Sequence, residues 1–140
     1  MNKLNAIILI LTATLSMTAC VDSEKDKLDN RIIEFWNYKI NNDFNKAYEF
    51  LSPGWRSSED KESYVRRMSR SVVDWLGIKI KDKKCSEKYL CVVVLEIEYE
   101  YHFKGTMAGK IRIPSDIRET WLMKDNIWYY VPNKSKFRQK

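Results

Sequence analysis

The 140-residue chain is poor in glycine, proline and histidine: 4 Gly, 3 Pro and one His, His102. So little Gly and Pro excludes a collagen-like or low-complexity polymer. A single histidine excludes a histidine-rich metal centre, and any nucleophilic triad that does not use His102. After residue 20 no apolar run approaches transmembrane length. The longest, Tyr89 to Leu95, is strand-sized. There is no internal repeat. What is present is 44% hydrophobic, 13% aromatic and 31% charged residues, with a formal net charge of +6. This composition fits one globular domain.

The N-terminus reads as an address. Lys3 supplies a short positive region, and Ala6 to Leu15 an apolar stretch too short to span a bilayer. Charges follow at Asp22, Glu24 and Lys25. The segment Leu15-Ser16-Met17-Thr18-Ala19-Cys20 resembles a bacterial lipobox. That resemblance implies a signal peptide over 1–19, acylation of Cys20 and a lipidated tether over 20–24. It places the protein in the bacterial cell envelope, anchored in the lipid bilayer through Cys20. Val21, where inner-membrane lipoproteins of Gram-negative cells carry Asp, implies the outer membrane facing the periplasm if the cell has one.

Without Lys3 the side-chain charge is +5. Lys134, Lys136, Arg138 and Lys140 then sit in a basic tail over 132–140, which leaves about +1 for the rest. That is no nucleic-acid footprint. The tail is either a solvated terminus or a contact for anionic lipid. Cys85 and Cys91 remain as an even pair in a disulfide-permissive compartment. They form either a bridge across a hairpin mouth or two reduced thiols. Two cysteines and one distant histidine are too few for zinc. No metal or cofactor is implied.

Leu28, Ile32, Phe35, Trp36 and Ile40 recur at helical spacing and predict a helix over Lys25–Asn41. A second stripe, Phe44, Ala47, Tyr48 and Leu51, ends at Ser52-Pro53-Gly54. A third helix is expected over Glu59–Arg70, with Ser57-x-x-Asp60 as capping box. From Ser71 the period becomes two. Leu76, Ile78 and Ile80 alternate with Gly77, Lys79 and Lys81. Cys91, Val93, Leu95, Ile97, Tyr99, Tyr101 and Phe103 oppose Glu96, Glu98, Glu100 and His102. Ile111 and Ile113 form a short strand that Pro114 is expected to break. Glu119, Trp121 and Met123 lead to a tight turn at Asp125-Asn126, and Ile127–Val131 is the last strand. The fold class is α+β: three N-terminal helices on an antiparallel sheet of about four strands, in one domain over 25–131.

Phe35-Trp36-Asn37, the run Asn42 to Pro53, and Thr120-Trp121 through Asp125-Asn126-Ile127-Trp128-Tyr129-Tyr130 resemble small secreted members of the nuclear transport factor 2-like, or cystatin-like, superfamily. The resemblance implies a strongly curved sheet and a cone with a pocket between helices and sheet. The superfamily holds isomerases, dehydratases and cyclases beside non-catalytic binding domains, so it leaves function open.

Trp36, Tyr48, Trp75, Tyr99, Tyr101, Trp121 and Trp128 are the candidate pocket lining, although aromatics at these periods equally build a core. Glu119 shares strand parity with Trp121 and Met123. A carboxyl among aromatics would have a raised pKa and could act as a general base. Asp74, beside Trp75, is the second candidate. Arg118 is placed to neutralise Glu119. Glu96, Glu98 and Glu100 could meet a hard cation, or form a solvent face offset by Lys79, Lys81, Lys110 and Arg112. The favoured function is a non-enzymatic envelope lipoprotein whose domain binds a partner protein or small apolar ligand. The alternatives are an isomerase- or cyclase-like enzyme using a pocket carboxylate, and an inhibitor or immunity-type lipoprotein acting through the acidic strand face.

Overall fold

The computed structural model describes residues 19–87, 89–102 and 109–133. Residues 1–18, most of the expected signal peptide over 1–19, lie outside the described residues, as do Phe103, the tail cations and the side chains of Cys20 and His102. Four helical segments precede four strands: α1 (Ala19–Ile40), α2 (Phe44–Tyr48), α3 (Pro53–Arg56), α4 (Lys61–Met68), β1 (Val73–Glu87), β2 (Leu90–His102), β3 (Lys110–Lys124) and β4 (Ile127–Val131). The strands form one antiparallel sheet in the order β1-β2-β3-β4. The architecture is therefore α+β, as the change of period from 3.6 to 2 implies.

The helix ends follow from local chemistry. α1 stops where Asn42 takes φ 59° and the Asp43 N–H reaches the Tyr38 carbonyl at 2.8 Å. With Asn42 N–H on Lys39 O at 3.1 Å, this is a Schellman closure. The segment expected to end at Ser52-Pro53-Gly54 instead starts a new turn there. Ser52 Oγ accepts the Trp55 N–H and Pro53 occupies the first helical position, where its missing N–H costs nothing. α4 begins two residues later than expected because Asp60, not Ser57, is its cap. The Asp60 carboxylate accepts the Ser63 N–H at 2.9 Å.

The strands differ from expectation at two places. A bulge between Trp75 and Gly77 turns Trp75 towards the helices and leaves Leu76 36% exposed, so Leu76 is not a core partner of Ile78 and Ile80. Pro114 does not break its strand. β3 runs through it, with Pro114 opposite Glu98. β4 pairs only with Thr120–Lys124, so Pro114 lies where β3 has a neighbour on one side alone and no ladder bond is lost there. The Asp125-Asn126 turn has both φ values positive, 52° and 62°, the geometry that suits a two-residue hairpin.

The core lies between α1, α2, α4 and one face of the sheet. Cys91, Val93, Leu95 and Ile97 supply the β2 row, Trp121 and Met123 the β3 row, and Leu28, Ile32, Phe35 and Trp36 the α1 stripe, all buried. Leu51 and Tyr130 form an isolated bridge that ties the segment after α2 to β4. Cys85 and Cys91 face one another on the β1–β2 ladder with Cα atoms 4.0 Å apart and are joined by a disulfide. Closing so short a loop stabilises by about 2 kcal/mol on chain entropy. Urea unfolding with and without reductant is expected to differ by about that amount, and the difference should vanish in Cys85→Ala. Coincident wild-type curves would overturn the cross-link.

Candidate functional site

The most unusual group in the core is Glu119. Its strand parity turns it inward with Trp121 and Met123, and it is 2% exposed. One carboxylate oxygen accepts the Trp36 indole N–H at 3.2 Å, and the other accepts the Trp121 indole N–H at 3.0 Å. Burial pushes its pKa up; Lys39 and the two indole donors oppose that but do not cancel it.

Lys39 is the residue that sequence reasoning missed. It is 8% exposed, and its Nζ lies 3.4 Å from the ring centroid of Trp36, 4.8 Å from Trp75 and 5.2 Å from Phe35. Three aromatic faces thus solvate a cation that is largely withdrawn from water. Burial lowers its pKa from 10.5 to about 8, against the attraction of Glu119 and with the repulsion of Arg67. The signal was present: Lys39 sits four residues after Phe35 and three after Trp36, on the apolar face of α1. Arg118, expected to neutralise Glu119, is exposed and takes no part.

Two phenols complete the surroundings, Tyr64 buried and Tyr130 half-buried. Burial raises the pKa of Tyr64 and of Tyr130, and the nearby Glu119 charge raises both further. Arg67 closes the helix side. It donates from Nε and Nη2 to the two oxygens of Glu59, both at 2.8 Å, and Glu59 also accepts the Trp55 indole N–H at 2.9 Å. Arg67 is thereby held by Glu59.

The seven candidate pocket aromatics fall into separate groups. Trp36, Trp75 and Trp121 surround the Lys39–Glu119 pair. Tyr48 packs on Tyr64 at 5.6 Å and donates its hydroxyl to Glu59 O at 2.8 Å. Trp128 is buried in β4, where its carbonyl accepts from Arg31 Nε at 3.2 Å. Tyr99 and Tyr101 are only half-buried, opposite Ile113 and Ile111. Asp74 is exposed.

The sheet's other face carries the acidic row. Lys81 bridges Glu96 at 3.6 Å and Asp116 at 3.0 Å, while Lys110 and Arg112 cover Glu100 at 2.8 and 3.4 Å and lower its pKa. The expected offset of charge therefore operates for Glu96 and Glu100. Glu98 is different. Its cross-strand neighbours are Gly77 and Pro114, neither of which can pair with it. A groove of about 310 Å³ opens there, lined by Gly77, Lys79, Glu96, Glu98, Arg112 and Pro114 among others. Among the described residues no group of three or more potential ligands could hold a metal ion.

Comparison with known proteins bears on the fold alone. No protein-family model matches the chain, and no curated protein does. Among solved structures it is similar to a candidate dehydratase of the NTF2-like family from Streptomyces avermitilis, at 8% identity and a TM-score of 0.56, over 81% of this chain and 99% of that one. It is also similar to a SEC-C motif containing protein from Rhodopseudomonas palustris, at 14% identity and a TM-score of 0.53, over 69% of each chain. The fold is NTF2-like. Identities this low carry nothing of either protein's activity.

The alkaline pH dependence of stability tests the Lys39 environment. The unfolded chain keeps the Lys39 proton to about pH 10.5, and the folded chain only to about 8. Between these values the unfolded state binds more protons, so stability rises with pH. From pH 7.5 to 9.5 the wild type should gain about 1–2 kcal/mol relative to Lys39→Met in urea unfolding. Above about pH 10 the raised pKa values of Tyr64 and Tyr130 reverse the trend, so the comparison stops short of it. Parallel pH profiles would overturn the assignment.

Proposed function

We propose that the protein is a lipid-anchored lipoprotein of the bacterial envelope whose domain is a non-catalytic binding or assembly module for a partner protein or small apolar ligand. The lipobox-like ending at Cys20 supports the anchor. One observation carries the choice of binding over catalysis: the Glu119 carboxylate is sealed in the core, 2% exposed, with an indole N–H from that core on each oxygen. Each oxygen keeps a second lone pair, but a general base must also lie within reach of the proton it removes, and at 2% exposure Glu119 offers no such access. The raised pKa of Glu119 is what an isomerase-like site would have, but its 2% exposure and two donors favour a structural role. Asp74, the other candidate base, is exposed and lacks the desolvated setting that base chemistry uses.

Two experiments test the parts separately. Palmitate labelling in cells is expected to mark the wild type and not Cys20→Ser; a wild type without label removes the anchor. Crosslinking in cells followed by mass spectrometry is expected to recover a partner. Recovery of monomer alone, with no bound ligand, counts against the binding role.

A second reading, an inhibitor or immunity-type lipoprotein, is favoured by Glu98. Its exposed carboxylate in the groove between Gly77 and Pro114 suits a cationic side chain of a target protein. Glu98→Lys should abolish recovery of the crosslinked partner while leaving the unfolding curve within about 0.5 kcal/mol, as befits a surface change. Undiminished recovery would exclude that face.

A further inference from the structure

The direction in which α1 enters the domain fixes how an anchored chain can face its membrane. Asp29 pairs with Lys83, near the end of β1. Arg31 donates to the Trp128 carbonyl, at the start of β4. Lys39, ten residues after Asp29, lies against Trp75, near the start of β1. α1 therefore enters at the end of the sheet that carries both hairpin turns, β1–β2 and β3–β4, and runs away from it. The two turns are joined there by the Met123 N–H on Tyr89 O at 2.8 Å.

The reach from the anchor is short. The first buried residue described after Cys20 is Leu28, 1% exposed. Eight residues span at most about 28 Å fully extended and about 12 Å as helix. The 13 residues of β2 put the far end of the sheet roughly 40 Å away. The turn end is thus held near the surface and the opposite end is not.

That turn end has a composition suited to the place. Tyr89 is 52% exposed and Ile127 44%, with Val92 at 40% three residues further along β2. The Lys84 side chain is 84% exposed, and Lys124 is also exposed. An amphipathic aromatic ring, a branched aliphatic side chain and long lysine stems are the groups that settle in the headgroup layer. Asp125, exposed in the β3–β4 turn, and Asp82, 3.9 Å from Lys84 Nζ, offset part of this positive charge.

We infer that the end of the domain bearing both hairpin turns rests on the phospholipid surface, with Tyr89 and Ile127 in the interfacial layer, so that the opposite end of the sheet points away from the membrane. This depends on the anchor assigned to Cys20 and adds a fixed orientation to it.

The test uses the full mature lipoprotein in vesicles of phosphatidylethanolamine and phosphatidylglycerol. A nitroxide is placed at Ile127→Cys or at Ile111→Cys, and its accessibility to a water-soluble nickel chelate is measured. The label at 127 is expected to lose accessibility several-fold relative to the unanchored Cys20→Ser chain, while the label at 111 is unchanged. Adding Tyr89→Ser should return the label at 127 towards its aqueous value. Equal accessibility at both positions in a chain that floats with the vesicles overturns the orientation and leaves the anchor standing. Protection at 111 instead, or full protection at 127 without Tyr89, also overturns it. A wild type that does not float removes the anchor and the orientation together.

Discussion

The carboxylate of Glu119, suspended between two indoles, is the contact on which the packing of helix against sheet depends. A buried carboxylate is costly unless donors replace its water, and here Trp36 and Trp121 supply one each. The Trp36 bond spans 83 positions of sequence and joins α1 to β3. Its geometry fixes two variables together. Trp36 and Lys39 lie about one turn apart on α1, so both face the carboxylate only at one rotation of the helix. Glu119 and Trp121 share a face of β3, so a register slip of one residue would turn both out to solvent. Shape complementarity alone would tolerate small rotations and slides; this polar pair does not. The Lys39 ammonium then has to be solvated, and Trp36, Trp75 and Phe35 do it. The bulge that turns Trp75 inward is part of the same arrangement.

Alternation made most of the sheet legible in the sequence. Cys91, Val93, Leu95 and Ile97 all lie on the buried face, and Glu119 points inward as its parity with Trp121 requires. What could not be read follows from interactions between distant residues or from backbone irregularity. The Trp75–Gly77 bulge shifts phase without any mark in the hydrophobic pattern, and so Leu76 was misplaced. Pro114 reads as a strand breaker until it is known that β4 stops short of it. Lys39 sits visibly on an apolar stripe, yet a lysine there ordinarily carries its charge out to water on a long stem. Only the carboxylate 80 positions away and the surrounding rings explain why this one stays inside. Asp60 and Ser57 both offer a cap, and the side-chain bonds of Asp60 to Ser63 decide between them.

The same interactions separate this chain from the expectation that its resemblance raises. A cone-like fold can be hollow and hold a ligand, or be filled by its own side chains. Trp36, Phe35 and Trp121, each at most 1% exposed, occupy the space around Glu119. The perturbed pKa values of Glu119, Lys39, Tyr64 and Tyr130 all have burial as their largest cause. Perturbation of that origin marks a functional group only where a substrate can reach it. On the binding-module reading it marks instead the cost of a polar device that specifies one packing. Recognition chemistry is better sought on surfaces where a charge or an apolar side chain is left without a counterpart in the chain itself.

Helix length determines where such a surface lies. The part of α1 that packs on the sheet, Leu28 to Lys39, is about 17 Å long, and α2, α3 and α4 have 5, 4 and 8 residues. Together they cannot cover the inner face of strands that run to 13 and 15 residues. The uncovered stretch is the one farthest from the entry of α1, where Ile111 and Ile113 are 43% and 38% exposed on the inward parity, opposite half-buried Tyr101 and Tyr99. The pattern of those residues is that of a core strand, and none of the described helices is long enough to reach them. The apolar end of the sheet and the end where the chain enters from Cys20 are therefore opposite by construction. The anchor proposed at Cys20 would then present the opposite, apolar end to whatever lies beyond the membrane surface.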